Sequence, residues 1–417
     1  LAYPRRAVVA TRLRASERLI GSGNVQWRWP IKGSRVRVWD ETHGISQRLW
    51  ELPTTGNFAG IWSYPPGRNP AWALLDFCTS PYGISLLGFS INQLDLHNIR
   101  DWADYCDQDV PKAGGGFEAR HTCDIVIDAG MSGQDVLIAL CQAGRAVPVW
   151  VGENLRIKYS YRDAHGRGTN SVPARGGGSF NQPQFVFASS SIKDFRCAYL
   201  NTRNRPTIID VPILDEALKY ESNPVSVPDP TVLQSSSVIG LVRYEARRTR
   251  VAMPACVRRS QARREALFIH AISRLAATRV EFEAGWEAMA VEPGDIIGVN
   301  HDSVRFFQEE AKGFRALHPV DGQPAIRLDH RLVVPDLFGG HVVYVRQSDG
   351  TVLNAGVQVG TYEVGDLVPL SAAVTCERGA PVAFGRAQKA LRLYEVISCE
   401  LTHEVTRKIT AIQWVPE

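Results

Sequence analysis

No stretch of this chain stays apolar for the roughly 18 residues that a membrane-crossing helix needs. Its opening, LAYPRRAVVATRLR, has no apolar run of the kind that marks a secretory signal. Methionine is scarce, three in 417 residues. None of the eight cysteines (Cys78, Cys106, Cys123, Cys141, Cys197, Cys256, Cys376 and Cys399) stands in a C-x-x-C pair, so they read as reduced, buried thiols of a protein folded in a cytosol. The ten histidines include no H-x-x-x-H or H-E-x-x-H spacing for a metal. Gly21-Ser22-Gly23 lacks the rest of a dinucleotide fingerprint, and Gly114 to Gly116 is not followed by the Lys-Ser/Thr of a phosphate loop. Ser132 lies outside a G-x-S-x-G elbow. Paired acids such as Asp107 with Asp109 and Glu309 with Glu310 read as ordinary surface carboxylates. No catalytic, cofactor-binding or metal-binding residue is therefore assigned, no cofactor is expected, and nothing specific supports an enzyme.

What is present is ordinary for a globular protein: 44% hydrophobic and 22% charged residues, with a formal charge of +4. That balance is too mild to imply nucleic-acid binding by itself. The length suits roughly two to four compact units. The most explicit local signal is Asn69 to Gly83, NPAWALLDFCTSPYG. Asn69 can cap a helix and Pro70 suits its first position. Ala71, Leu74, Leu75 and Cys78 then form one apolar face, with Trp72 beside it, and Pro81 and Gly83 stop the run.

Residues 1–65 read as a β-rich segment with strands in AVVATRL, VQWRWPI and RVRVWD; in the last, Val36 and Val38 share one face. Residues 66–160 read as an α+β unit. A second helix at about Leu96 to Gln108 has Asp95 as its cap and a face of Ile99, Trp102, Ala103 and Cys106. Phe117 to Asp128 alternates as a half-buried strand should. Ser132 with Asp135 resembles a capping box opening a helix with Val136, Ala139, Leu140 and Ala143 inward. Val147–Val151 and Leu155–Tyr159 flank Gly152-Glu153 as a hairpin.

Residues 161–237 read as a β-rich segment with an exposed loop over His165 to Pro183, strands at Phe185–Phe187, Phe195–Leu200 and Thr207–Val211, and a Pro-rich connection from Asn223 to Pro230. Residues 238–300 read as an α+β segment: a strand at Val238–Tyr244, a helix at Ser260–Ala276 with Ala262, Ala266, Ile269 and Leu275, a strand at Thr278–Phe282, and a Pro293-Gly294-Asp295 turn leading into Ile296, Ile297 and Val299. Residues 301–417 read as a β domain closed by Leu391–Leu401 and Val405–Trp414. The fold class is thus α+β, rich in β-structure.

Arg243, Arg247, Arg248, Arg250, Arg258, Arg259, Arg263 and Arg264 crowd one region, with only Glu245 opposing them inside it. Three of them fall near the N-terminus of a predicted helix, where the macrodipole disfavours cations. Compensation is expected, by acidic neighbours within the chain or a partner, or else by a polyanion such as passing DNA.

Several stretches, in order, resemble the tail-tip host-specificity proteins of lambda-like siphophages, often called protein J or central tail hub. They are Leu1-Ala2-Tyr3-Pro4 with Ala7-Val8-Val9; NPAWALLDFCTSPYG; Ala103-Asp104-Tyr105-Cys106-Asp107 with Val110-Pro111; Gly116-Phe117-Glu118-Ala119-Arg120-His121-Thr122-Cys123; Val257-Arg258-Arg259-Ser260-Gln261-Ala262-Arg263-Arg264; and Pro293-Gly294-Asp295-Ile296-Ile297. The resemblance implies a structural virion protein: a homotrimeric hub closing the distal tail tube, similar in architecture to hubs of contractile tails. It implies partners in the distal tail protein, the tape-measure protein and tip or fibre proteins, transient passage of DNA, indirect contact with the host surface, and assembly in the host cytoplasm. Family members usually have more chain on both sides, so a fragment, or one product of a divided hub, is expected. A hub of a gene-transfer particle or tailocin, and a soluble α+β enzyme, are the alternatives.

Overall fold

In a computed structural model, the structure describes residues 36–40, 44–45, 66–80, 83–84, 89–112, 115–127, 130–159, 183–200, 205–231, 247–301, 312–319, 324–333, 340–348, 350–358, 363–364, 367–386, 390–403 and 405–414. The expected strands AVVATRL, VQWRWPI and Val238–Tyr244, and nearly all of the loop over His165 to Pro183, lie outside them.

Three helices build the first core. Helix α1 (Pro70–Thr79) begins as its sequence dictates: the Asn69 side chain accepts the Ala71 N–H at 3.0 Å and Pro70 occupies the first turn. Asn69 also donates to the Ala103 carbonyl at 3.0 Å, tying α1 to α2 (Leu96–Cys106). Asp95 caps α2. In α3 (Gly133–Ala143) Ser132 accepts the Asp135 N–H and its hydroxyl bonds the Asp135 carboxylate. Trp102 of α2 is buried and donates to the Gly144 carbonyl at 3.0 Å. A Cβ on Gly144 would stand 2.6 Å from that indole, so the approach requires glycine. The hairpin β1 (Ala146–Val151) and β2 (Asn154–Tyr159) completes the block. Leu74, Leu75, Trp72, Ile99, Leu140, Leu155 and Ile157 fill its core, joined by Val36 and Val38 from upstream and Ala255 from downstream.

Residues 117–127 depart from the expected strand. Only Phe117–Ala119 pairs, with Asp109–Pro111. Beyond it the Cys123 N–H donates to the Arg68 carbonyl and the Asp124 N–H to that of Ala255. The backbone is thus satisfied by two separate loops rather than one ladder, and the alternation lapses: Phe117 and Ile127 are exposed, while His121, Thr122 and Cys123 are buried in succession.

The remaining chain runs β3 (Phe185–Ala188), β4 (Ile192–Tyr199), β5 (Ile208–Asp215), β6 (Glu221–Pro228), β7 (Arg248–Arg250), helix α4 (Arg259–Leu275), β8 (Thr278–Ala284) and β9 (Ile296–Asn300). It continues through β10 (Lys312–Pro319), β11 (Ala325–Leu328), β12 (His341–Arg346), β13 (Val352–Gly356), β14 (Leu367–Pro369), β15 (Pro381–Arg386), β16 (Arg392–His403) and β17 (Thr406–Gln413). Three sheets result, in the orders β6-β5-β7, β3-β9-β16-β17-β8-β4 and β13-β12-β15-β10-β11-β14. The long pair β16–β17 closes the first six-stranded sheet at its centre, so strands from both ends of residues 183–414 share one sheet. Val186, Val352 and Ala383 join the two six-stranded sheets.

The Pro-rich stretch from Asn223 is not a connection but lies largely within β6, an edge strand antiparallel to β5. The Asp229 N–H donates to the Thr207 carbonyl, so residues of odd number form the hydrogen-bonded pairs of this ladder. Pro224 and Pro228 fall on the alternate positions, whose N–H groups would point away from β5, and their missing donors cost no ladder bond. Pro212, opposite Pro224, lies just past the point where β7 stops pairing with β5. Helix α4 lays Ala262 and Ala266 on Ile209, Val211, Ile213, Val225 and Val227 of this sheet. Leu275, expected among its apolar residues, is exposed at the C-terminal end.

Leu74 is fully buried. Leu74→Ala should lower unfolding free energy by about 2–5 kcal/mol in urea titration. Leu74→Asp should abolish soluble folded protein, because it buries an unpaired charge.

Candidate functional site

The candidate site is the joint where α4 meets the α1–α3 block. Its first turn carries arginines and no acid, and Arg258 makes no side-chain cap. Carboxylates from elsewhere supply the missing negative charge. Glu118 accepts the Ser260 hydroxyl at 3.0 Å and pairs with Arg264, which also donates to the Arg120 carbonyl at 2.8 Å. Asp215 lies 3.7 Å from Arg259, and Glu216 lies 3.7 Å from Arg258. Arg68, just ahead of α1, forks between Asp124 (2.5 Å) and both oxygens of Glu216 (3.1 and 3.0 Å).

One turn further in, the joint is buried. The Gln261 Oε1 accepts the Thr122 N–H and hydroxyl, both at 3.0 Å, while its Nε2 donates to the carbonyls of Thr122 (3.1 Å) and Ala143 (3.2 Å). This amide is fully satisfied. Glu265 receives a two-pronged pair from Arg145 (3.1 and 2.8 Å), whose guanidinium lies 3.5 Å from the centre of the Phe268 ring. His121 Nδ1 lies 3.7 Å from Glu265.

A second clasp joins the hairpin to the large sheet. Lys158 on β2 reaches Glu292 at 2.9 Å and Asp295 at 2.7 Å, and Arg156 reaches Glu292 at 3.4 Å. The Pro293-Gly294-Asp295 turn presents these acids. Gly294 has φ 87°, and a Cβ there would come within 3.0 Å of Lys158, so both conformation and space exclude other residues.

Burial alone would raise the Glu118 carboxyl, but hydrogen bonds from Arg264 and Ser260 and the charges of Arg264 and Arg258 hold it below its ordinary value. Hydrogen bonding to Arg68 lowers Glu216 against the opposing effect of burial. On α2 the reverse holds: burial first, then neighbouring acids, push Asp101 up to about 6 and Asp107, at its C-terminal cap, up to about 7. Burial pushes the Cys78 thiol up to about 12 and that of Cys256 to about 11, so both are protonated and unreactive near neutrality. Of the eight cysteines, six are buried and none is bonded to another.

Within the expected basic cluster, Arg258, Arg259 and Arg264 thus face acids of their own chain. Arg248 pairs with Asp210 at 3.2 Å and Arg247 donates to the Arg205 carbonyl, while Arg250 and Arg263 are exposed. Arg243, Glu309 and Glu310 lie outside the described residues. Sequence reasoning named the arginines but not their partners Asp215 and Glu216, nor Gln261 and His121 as buried groups. A signal was available in hindsight. The stretches Gly116–Cys123 and Val257–Arg264, noted separately, meet through Glu118, Arg120 and Thr122 on one side and Ser260, Gln261 and Arg264 on the other.

Residues 132–315, a little under half of the chain, match the family described as "Putative phage tail protein". The matched segment is similar to phage tail proteins. A tip attachment protein J of Escherichia phage SECphi27 is 28% identical over 248 residues, 58% of this chain and 18% of that protein. The chain thus spans under a fifth of that relative's length. Among solved structures, a virion component of a native gene transfer agent particle aligns with TM-score 0.38 and 10% identity, over 83% of this chain and 47% of that one. A 43 kDa tail protein of prophage MuSo2 from Shewanella oneidensis aligns with TM-score 0.28 and 10% identity, over 69% and 56%. Scores at this level carry no functional inference. Both sequence comparisons thus point to similarity with phage tail proteins.

Gln261→Ala leaves the Thr122 N–H and carbonyl without partners and should cost about 1–3 kcal/mol or more in chemical denaturation. Asp107 has a folded-state pKa above its unfolded value, so its contribution is complete at acid pH and is lost as pH rises through about 7. Asp107→Asn should accordingly melt higher than wild type at pH 8, and the advantage should shrink by pH 5.

Proposed function

We propose that this chain is the hub of a phage tail tip. Three copies close the distal end of the tail tube, anchor the distal tail, tape-measure and fibre proteins around it, and open for DNA ejection into the host. The observation that carries this reading is the convergence of three hub-like stretches on one joint: NPAWALLDFCTSPYG forms α1, and Gly116–Cys123 and Val257–Arg264 bind one another beside it. A hub must transmit force between its parts without slipping, and a joint held by buried, directional bonds suits that work better than a greasy contact.

Exposed apolar residues also fit an assembled role. Trp286 and Phe117 are 74% and 71% exposed, with Leu401, Val405 and Trp150 also open to solvent. Side chains of this size on a surface are suited to burial against neighbouring chains.

Native mass spectrometry of the purified chain, with cryo-EM of particles labelled on it, tests the proposal: a trimer located at the distal tip is expected, and a stable monomer absent from particles overturns it. Charge reversal at Arg258 and Arg259 should reduce soluble trimer, since both face acids of their own chain. Normal assembly with impaired DNA delivery would instead put this surface against DNA.

A further inference from the structure

The α4 joint contains one titratable group that nothing in it explains. His121 is 1% exposed, and neither ring nitrogen has a hydrogen-bond partner. Its N–H is fixed by the Cys106 carbonyl, so the residue is tied to α2 through its backbone. Every packed element turns a group towards the ring. Tyr105 of α2 lies 5.4 Å away, ring to ring. Arg120 comes from its own segment, Arg145 from the turn after α3, and Arg264 and Glu265 from α4. The surroundings therefore hold three guanidinium groups and one carboxylate, and both oxygens of that carboxylate already belong to Arg145.

We propose that His121 makes this joint acid-labile: binding a proton at the ring sets an imidazolium among Arg120, Arg145 and Arg264, and is relieved only by α4 separating from the block. A neutral imidazole is tolerated there because it carries no charge to desolvate. An imidazolium has a single possible counter-ion in Glu265, and taking it would strip Arg145 of its partner in a buried site. The direction follows from linkage. Burial, and then the three arginines, hold the folded ring well below its ordinary value of 6.5, so the open joint binds the proton first. Stability from the neutral ring is complete above about 6.5 and is lost as pH falls. Each pH unit below it should raise the opening equilibrium by up to about tenfold. Glu118 and Glu216 act in a lower window, since both are held below their ordinary values. His270, also on α4, is a separate group that bonds the Val227 carbonyl on the opposite side.

Hydrogen–deuterium exchange of the intact chain at pH 7.5 and 5.0, corrected for intrinsic rates, reads the opening directly. Residues 121–123 and 259–266 should lose protection roughly tenfold or more, while β15 in the far sheet keeps its own. In His121→Gln, which stays neutral, the pH-dependent loss of protection at residues 121–123 and 259–266 should disappear. Equal loss in wild type and variant overturns the proposal. Unchanged protection of the wild-type joint at pH 5.0 overturns it too, and that measurement stands even if the variant does not fold.

Discussion

The structure depends on how α4 is held, because that helix is wedged between two surfaces of opposite character. One side lays small apolar residues, Ala262 and Ala266, on a three-stranded sheet. The other side meets the α1–α3 block through Gln261, Arg264 and Glu265, which are buried or nearly so. Polar groups leave water only when each hydrogen bond is replaced, so this second surface admits one register and essentially no sliding. An apolar interface of the same size would tolerate repacking. The helix thereby ties the block to the three-stranded sheet in one register.

Charge in this protein is organised around that constraint. Basic residues are matched by acids at distant positions: Arg68 with Asp124 and Glu216, Arg264 with Glu118, Arg145 with Glu265, Lys158 with Asp295. Partly buried pairs of this kind contribute less to net stability than to uniqueness, since removing either member strands the other. The two clasps, at α4 and at the Pro-Gly-Asp turn, grip the block from both of its downstream neighbours.

Local features were legible in the sequence, and long-range ones were not. The caps Asn69, Asp95 and Ser132 and the apolar faces of α1, α2 and α3 are set by residues within four positions of one another, and each appears where periodicity puts it. The β1–β2 hairpin and the final β16–β17 pair were likewise readable. Residues 117–127 misled because alternation reports burial on two sides, and cannot tell a ladder from an extended segment bonded by two loops. The Pro-rich stretch misled because proline excludes a central strand but not the outer edge of one. The partners in the α4 joint lie from about forty to nearly a hundred and fifty residues apart, beyond the reach of any spacing rule. So does the merging of β3 and β4 with β16 and β17 in one sheet.

The prolines of β6 have a consequence beyond their own ladder. A sheet edge is a template, and any chain with an extended segment can add to it if donors and acceptors alternate along its length. An incoming strand on this side would find no donor at Pro224 or Pro228, and across the sheet β7 offers three residues among those described. The β6 edge of the three-stranded layer thus lacks a continuous row of donors. Among the described residues, that leaves α4 packed on a layer three strands wide.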